Sequence, residues 1–289
     1  MKMRFITHGV VLFAPIVSIS LLVFRCQIDH GLQPIRSKIG GRIQWTGTRV
    51  PLDSDEIRVA VVKNFPPRNI QELLFSDMVP FRDRDTTLIR TPVPWEIYLP
   101  PGRYDMVAVI WKGNNESWNI SDVVGIYGGL FLGDMLVPTF KPVTVPSFDS
   151  TIDTLDIQAN LNRVNRDAKI SGTVTFQGKW PDNTGIVGVG AFVEVPRKGD
   201  LIDYYLKNAA LVYGIPPFVE KFEYQLRIRS ADTIRYVAVT WINASYDLTS
   251  IHEIGFFSDP SDPARPGTVT VARGETRQDV NIAVDFTKF

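Results

Sequence analysis

Lys38-Ile39-Gly40-Gly41-Arg42-Ile43-Gln44-Trp45 returns 131 residues later as Lys169-Ile170-Ser171-Gly172-Thr173-Val174-Thr175-Phe176. In the first of these, Ile39, Gly41, Ile43 and Trp45 share one face, and Arg42 and Gln44 share the other. Successive side chains on a strand point to opposite faces, so this alternation predicts a strand with one buried side. Further matches follow in the same order. Met106-Val107-Ala108-Val109-Ile110-Trp111 matches Tyr236-Val237-Ala238-Val239-Thr240-Trp241, and Gly125-Ile126-Tyr127 matches Gly255-Phe256-Phe257, both at an offset of 130. Val143-Thr144-Val145 matches Val269-Thr270-Val271 at 126, and Asp156-Ile157 matches Asn281-Ile282 at 125. Ordered matches with so small a drift define an internal duplication. Its period is a whole domain, too long for a solenoid or propeller unit.

The 289 residues fit two domains of ordinary size. The duplication predicts one copy over 38–163 and a second over 168–289. They are joined by the polar stretch Arg163-Val164-Asn165-Arg166-Asp167-Ala168 and preceded by a tether (27–37) and a leader (1–26). Inside the copies, Ile57, Val59 and Val61 alternate with Arg58 and Ala60, and Ile152, Leu155 and Ile157 repeat the pattern less strictly. Turn residues punctuate the runs at Pro100-Pro101-Gly102, Lys112-Gly113-Asn114 and Arg273-Gly274-Glu275. Many short strands at such spacing predict an all-β chain of two tandem antiparallel β-sandwich domains.

A first strand of the type Ile-x-Gly-x-Ile/Val, a second rich in Val and Ala, and Tyr98-Leu99-Pro100-Pro101-Gly102-Arg103-Tyr104 leading into Val107-Ala108-Val109 resemble the carboxypeptidase-regulatory-like (transthyretin-like) β-sandwich. The resemblance covers 38–161 and 169–286. The second copy departs from it, with Arg229-Ser230-Ala231-Asp232-Thr233 in place of the Pro-Gly-x-Tyr turn. What the resemblance implies is a binding or structural accessory module.

The leader carries Lys2 and Arg4, then the apolar run Val10–Phe24 with Pro15 inside it. A run of this length behind positive charge reads as a signal-peptide core. It ends at Cys26, the only cysteine, which excludes an intrachain disulfide and a thiolate zinc cluster. Leu22 and Val23 before it resemble the lipobox of bacterial lipoproteins, although Arg25 stands where a small residue is usual. That resemblance implies lipidation of Cys26 and membrane attachment through the N-terminus. The alternative is an uncleaved signal anchor, and either one exports the remainder to the cell envelope.

Lys plus Arg equals Asp plus Glu at 31 each, with no dense basic run, which argues against a nucleic-acid partner. Of three histidines only His252 falls in the folded body, and no G-x-S-x-G or H-E-x-x-H occurs, so no catalytic constellation is expected. No cofactor or metal is expected either. The acidic groups Asp53/Asp55/Glu56, Asp83/Asp85 and Asp259/Asp262 lack calcium-loop spacing and read as solvated turns. The run Gly125-Ile126-Tyr127-Gly128-Gly129-Leu130-Phe131-Leu132-Gly133 lacks the Lys-Ser/Thr of a phosphate loop and reads as a tight loop.

What remains are aromatics. Long insertions follow the second strand of each copy, over 63–94 and 197–220, and end in Pro80-Phe81 and Pro217-Phe218. The second predicts a short helix opened by Asp200, with Leu201, Tyr204 and Tyr205 on one face. These aromatics either close the open end of the sandwich or form a contact surface. Trp118, in a polar loop, and Trp180, before Pro181-Asp182-Asn183, are the tryptophans expected to be exposed. The contact candidates are therefore Trp118, Trp180, Phe81, Tyr204, Tyr205 and Phe218. The expected function is a non-catalytic cell-envelope protein presenting two sandwich modules for adhesion or assembly with an envelope protein or polysaccharide. The alternative is a pair of carbohydrate-binding modules.

Overall fold

The structure is a computed structural model, and it describes residues 37–48, 55–65, 67, 72–80, 91–113, 118, 120–195, 210–245 and 251–288. Residues 36–289 belong to one compact unit. The first half contains β1 (Lys38–Thr46), β2 (Glu56–Val62), β3 (Leu73–Phe75), β4 (Val93–Tyr98), β5 (Gly102–Tyr104), β6 (Met106–Lys112), β7 (Val123–Ile126), β8 (Leu130–Leu132), β9 (Met135–Val137), β10 (Val143–Val145), β11 (Thr151–Ile152) and β12 (Ile157–Asn160). The second half contains β13 (Ala168–Gln177), β14 (Thr184–Phe192), β15 (Ala210–Tyr213), β16 (Lys221–Ile228), β17 (Tyr236–Asn243), β18 (His252–Phe256), β19 (Ser258–Asp259), β20 (Asp262–Pro266), β21 (Thr276–Arg277) and β22 (Ile282–Asp285). No α-helix occurs among the described residues.

Each half is a two-sheet sandwich with the same topology. In the first, β4 and the pair β11/β12 flank β1, and the facing sheet runs β3-β2-β6-β7. In the second, β16 and β21/β22 flank β13, and the facing sheet runs β15-β14-β17-β18. Ile39, Ile43 and Trp45 meet Val59, Val61, Val107 and Val109 between the first pair of sheets. Ile170, Val174 and Phe176 meet Val187, Val189, Val237 and Val239 between the second. The bulge between Val109 and Ile110 recurs between Val239 and Thr240. Where β5 pairs with β10, the second half keeps only the bridge Ile234–Val269. Tyr104 Oη donates to Pro100 O at 2.7 Å, closing the turn that the second half lacks.

The sheets are not wholly antiparallel. β1 pairs in parallel with β11 and then with β12, from Ile43 opposite Ile157 to Thr46 opposite Asn160. β13 does the same with β21 and β22. The Ile-x-Gly signature follows from this closure. Between the two partners the chain bulges inward, and a Cβ on Gly41 would lie 2.3 Å from Leu155 O, while one on Gly172 would lie 2.1 Å from Val280 O. Leu155 N–H donates to Gly40 O, and Val280 N–H donates to Ser171 O. The next side chain caps the gap: Arg42 N–H donates to Asp156 Oδ1, and Thr173 N–H donates to Asn281 Oδ1, both at 2.9 Å. The glycines are spatial necessities at a main-chain crossing.

β2 departs from the expected one-sided alternation. Ala60 and Val62 are as buried as Val59 and Val61, and all of β6 from Met106 to Trp111 is buried. A strand covered on both faces loses its polar alternation, and a second apolar layer provides the cover.

Candidate interaction surface

That second layer lies outside the first sandwich. Ala60, Val62, Met106, Ala108 and Ile110 form its floor, and Leu136, with Phe65, Phe131 and Phe140, packs over them. Leu136 and Phe131 come from the β8–β9 hairpin, whose turn uses Gly133 at φ +61°, where a side chain would be strained. Period-two alternation then decides what the hairpin's other face presents. With Phe131 and Leu136 turned inward, Leu130 pairs with Val137 and Leu132 with Met135 on the outer face. Leu130 is 60% exposed, Leu132 65% and Met135 40%. A two-stranded ribbon thus holds an apolar strip out to solvent. On the same half, the edge strand β3 and the segment after it leave Leu74, Phe75 and Met78 exposed.

The corresponding hairpin of the second half, β19–β20, carries Ser258, Asp259, Asp262 and Arg265. Its charges close on themselves: Arg265 Nε lies 3.1 Å from Asp262 Oδ2, and Asp259 accepts from Ser261. The outer layer there is smaller, Phe192, Tyr236 and Ala238 with Ile251 and Phe256 packed against them. Val195 and Phe218 are the large exposed hydrophobics of the second half among the described residues.

The tip of the β8–β9 hairpin is tied to the second half. Asp134 Oδ1 accepts from Asn160 Nδ2 at 2.9 Å and Asn162 Nδ2 at 3.0 Å, and Asp134 Oδ2 accepts from Arg229 Nη2 at 2.9 Å. Arg229 also lies 3.6 Å from Asp232. The connecting stretch is pinned on both sides. Arg163, nearly buried, donates to Val123 O at 2.9 Å, and Arg166 donates to Asp122 Oδ1 at 2.9 Å. Asp167 accepts from Ser230 N–H at 2.8 Å and from Ser230 Oγ at 3.0 Å. The motif that departs from the Pro-Gly-x-Tyr turn, Arg229 to Thr233, is thus a junction segment.

Burial alone would raise the Asp134 carboxyl, but the amide hydrogen bonds from Asn160 and Asn162, with Arg229, outweigh it and hold the group below its ordinary value. Asp167 is likewise held low by Ser230 against the effect of burial. Burial pushes Asp232 up, and Arg229 and Arg163 offset this only in part. Burial, then repulsion from Arg229, lowers the Arg163 guanidinium to about 10, still charged at neutral pH. Beside this network sits a cavity of about 310 Å³, walled by Met135 and Arg163 from one half and by Val193, Arg229 and Arg235 from the other.

The expected contact residues separate. Trp118 is partly buried; its ring stacks on Phe75 with centroids 6.0 Å apart, and Lys112 Nζ lies 4.8 Å from its centroid. Trp180 is not an exposed contact. It is 8% exposed, packs against Phe176 and Phe286, and its Nε1 donates to Val219 O at 3.2 Å. Phe218, 62% exposed at φ +65°, lies beside Trp180 with centroids 5.9 Å apart, covering it as part of the sandwich end. Phe81, Tyr204, Tyr205 and Cys26, and the helix expected from Asp200, lie outside the described residues. His252 is exposed and its ring sits 5.8 Å from that of Trp241. Among the described residues, no group of three or more His, Cys, Asp or Glu is placed to hold a metal. No described helix is long and apolar enough to cross a membrane. The strip on β8–β9 is hard to see in the sequence because Gly128, Gly129 and Gly133 around it favour a loop. The unbroken apolar run Leu130-Phe131-Leu132, which puts apolar side chains on both faces of a strand, is the available signal.

No family model matches the chain, and no curated protein matches it. Among solved structures, a candidate adhesin from Bacteroides ovatus is 12% identical, with a TM-score of 0.24 over 76% of this chain and 82% of that one. A candidate cell adhesion protein from Bacteroides fragilis is 10% identical, with a TM-score of 0.24 over 84% and 91%. A shaft pilin from Lactobacillus rhamnosus GG is 8% identical, with a TM-score of 0.20 over 86% and 96%. Likeness at this level bears on neither fold nor role. The class rests on the chain's own geometry: a tandem β-sandwich protein whose first half carries an exposed apolar hairpin face.

Proposed function

We propose that this is a non-catalytic, exported envelope protein. Its first sandwich holds the β8–β9 strip out for another envelope protein, and its second serves as a clamped support. In this reading, Cys26 is the lipid attachment point, 27–37 is the tether, and 38–163 and 168–289 are modules of the carboxypeptidase-regulatory-like kind. The carrying observation is the outer face of the hairpin, where Leu130, Leu132 and Met135 are all exposed and pair across the ribbon with one another or with Val137. Contiguous exposed apolar surface on a folded chain marks an interaction site. The tryptophans weigh against a glycan platform, since Trp180 is buried and Trp118 is already stacked.

The test is in-cell photo-crosslinking from position 132, with position 221 on the polar β16 as control. Adducts with an envelope protein from 132 and not from 221 are expected, and they should disappear when Leu130→Ser and Met135→Ser are added beside the crosslinker. Equal adducts from both positions, or none, would sink the proposal. Binding on a glycan array that survives the double variant but is lost in Trp118→Ala would move the role to sugar.

A further inference from the structure

The cavity at the junction and the hairpin beside it share a wall. Met135 lines the cavity and pairs with Leu132 on the exposed strip. Val193 of the second half lines the cavity too, and Val195 two residues on is exposed. Apolar side chains from both halves, Met135, Val193 and Ala231, therefore line a cavity whose other walls are charged or polar. There the charges are unequally committed. Arg229 faces Asp134 and Asp232, Arg163 is bonded to the first half, and Glu194 is engaged within the chain. Arg235, on the exposed rim, is the exception: its main-chain N–H donates to Phe192 O, and its side chain has no partner among the described residues. One exposed guanidinium is left on the cavity lining, beside Met135 and Val193.

Building on the reading of the hairpin as a contact surface, we propose that the strip and the junction cavity form one docking surface for a peptide segment of a partner protein, bearing a carboxylate beside an apolar side chain. The apolar side chain covers Leu132 and Met135, and the carboxylate meets Arg235, whose planar fork suits bidentate pairing. Domains joined by a short linker ordinarily move against each other. Here the surface is preformed, because Asp134 ties the hairpin to Arg229 across the junction and the linker is bonded to both halves. A surface held in its bound shape loses less ordering entropy on association.

The probe is a random peptide library displayed on phage and panned on the full-length chain. Retained peptides are expected to share Asp or Glu next to Leu, Ile or Phe. Synthetic versions should bind about tenfold more weakly to Arg235→Glu, a loss of roughly 1.4 kcal/mol. Asp134→Ala, which keeps Arg235 but frees the walls, should also weaken them, while Lys221→Glu should not. Peptides without a carboxylate, equal binding to Arg235→Glu, or no retention above that variant would each overturn the proposal. Peptides kept by Arg235→Glu but lost with Leu130→Ser, Leu132→Ser would overturn it while leaving the hairpin reading in place.

Discussion

Two hairpins at equivalent places in one duplicated fold differ in nearly every side chain. β8–β9 turns Phe131 and Leu136 down onto its sheet and Leu130, Leu132 and Met135 out to water. β19–β20 carries Ser258, Asp259, Asp262 and Arg265 and saturates its charges locally. Both halves keep an apolar outer layer, but the sandwich accepts either hairpin over it, so it does not require the hairpin to be apolar on its exposed side. That exposed side of β8–β9 is therefore an addition to the fold, and it is where a role separate from folding is expected.

The contrast is broken most severely at the shared foundation. Valine at Gly41 or at Gly172 should cost about 4 kcal/mol or more in either half, because its Cβ would collide with a main-chain carbonyl. Urea unfolding of the two variants should show similar losses; tolerance in one half would mean that the two closures are not equivalent. Next in size, Leu136→Ala should cost about 3 kcal/mol, since Leu136 is fully buried under the first hairpin. Arg265→Ala on the second hairpin should change stability by less than about 0.5 kcal/mol.

At the junction, Asp134→Ala removes the acceptor shared by Asn160, Asn162 and Arg229 and should cost about 1–3 kcal/mol. A double-mutant cycle with Arg229→Ala isolates the pair. The junction also has a pH dependence of definite sign. Asp134 and Asp167 are held below their ordinary values, so what they contribute is present above the ordinary carboxylate range and is lost as pH falls through their folded values. Acid scans should destabilise the parent chain more than Asp134→Asn. Smallest in stability, Leu130→Ser should shift unfolding by less than about 0.5 kcal/mol yet abolish crosslinking from position 132.

The sandwich could be read from the repeat because each matched residue does the same local job twice. Gly41 and Gly172 admit the crossing chain, and Asp156 and Asn281 cap it. The contact surface was less legible. Trp180 precedes the polar Pro181-Asp182-Asn183, neighbours that predict exposure, yet the ring folds back beside Phe218. Asp134, Arg163 and Arg229 stand far apart in the chain and belong to different elements, so no spacing rule brings them together. β2 and β6 did carry a warning in their uninterrupted Val-Ala runs: strands with no polar face need cover on both sides.

The parallel closure of each sandwich has a mechanical consequence. The chain enters the first half at the start of β1 and leaves it just after β12, so tension applied along the protein pulls these neighbours past one another lengthwise. The bonds from Ile43–Ile157 to Thr46–Asn160 are then loaded together instead of one after another, as they would be if the strands were peeled apart. β13 and β22 repeat the geometry from Val174–Ile282 to Gln177–Asp285. Both halves are thus arranged in shear, and rupture of either requires its row of hydrogen bonds to fail at once.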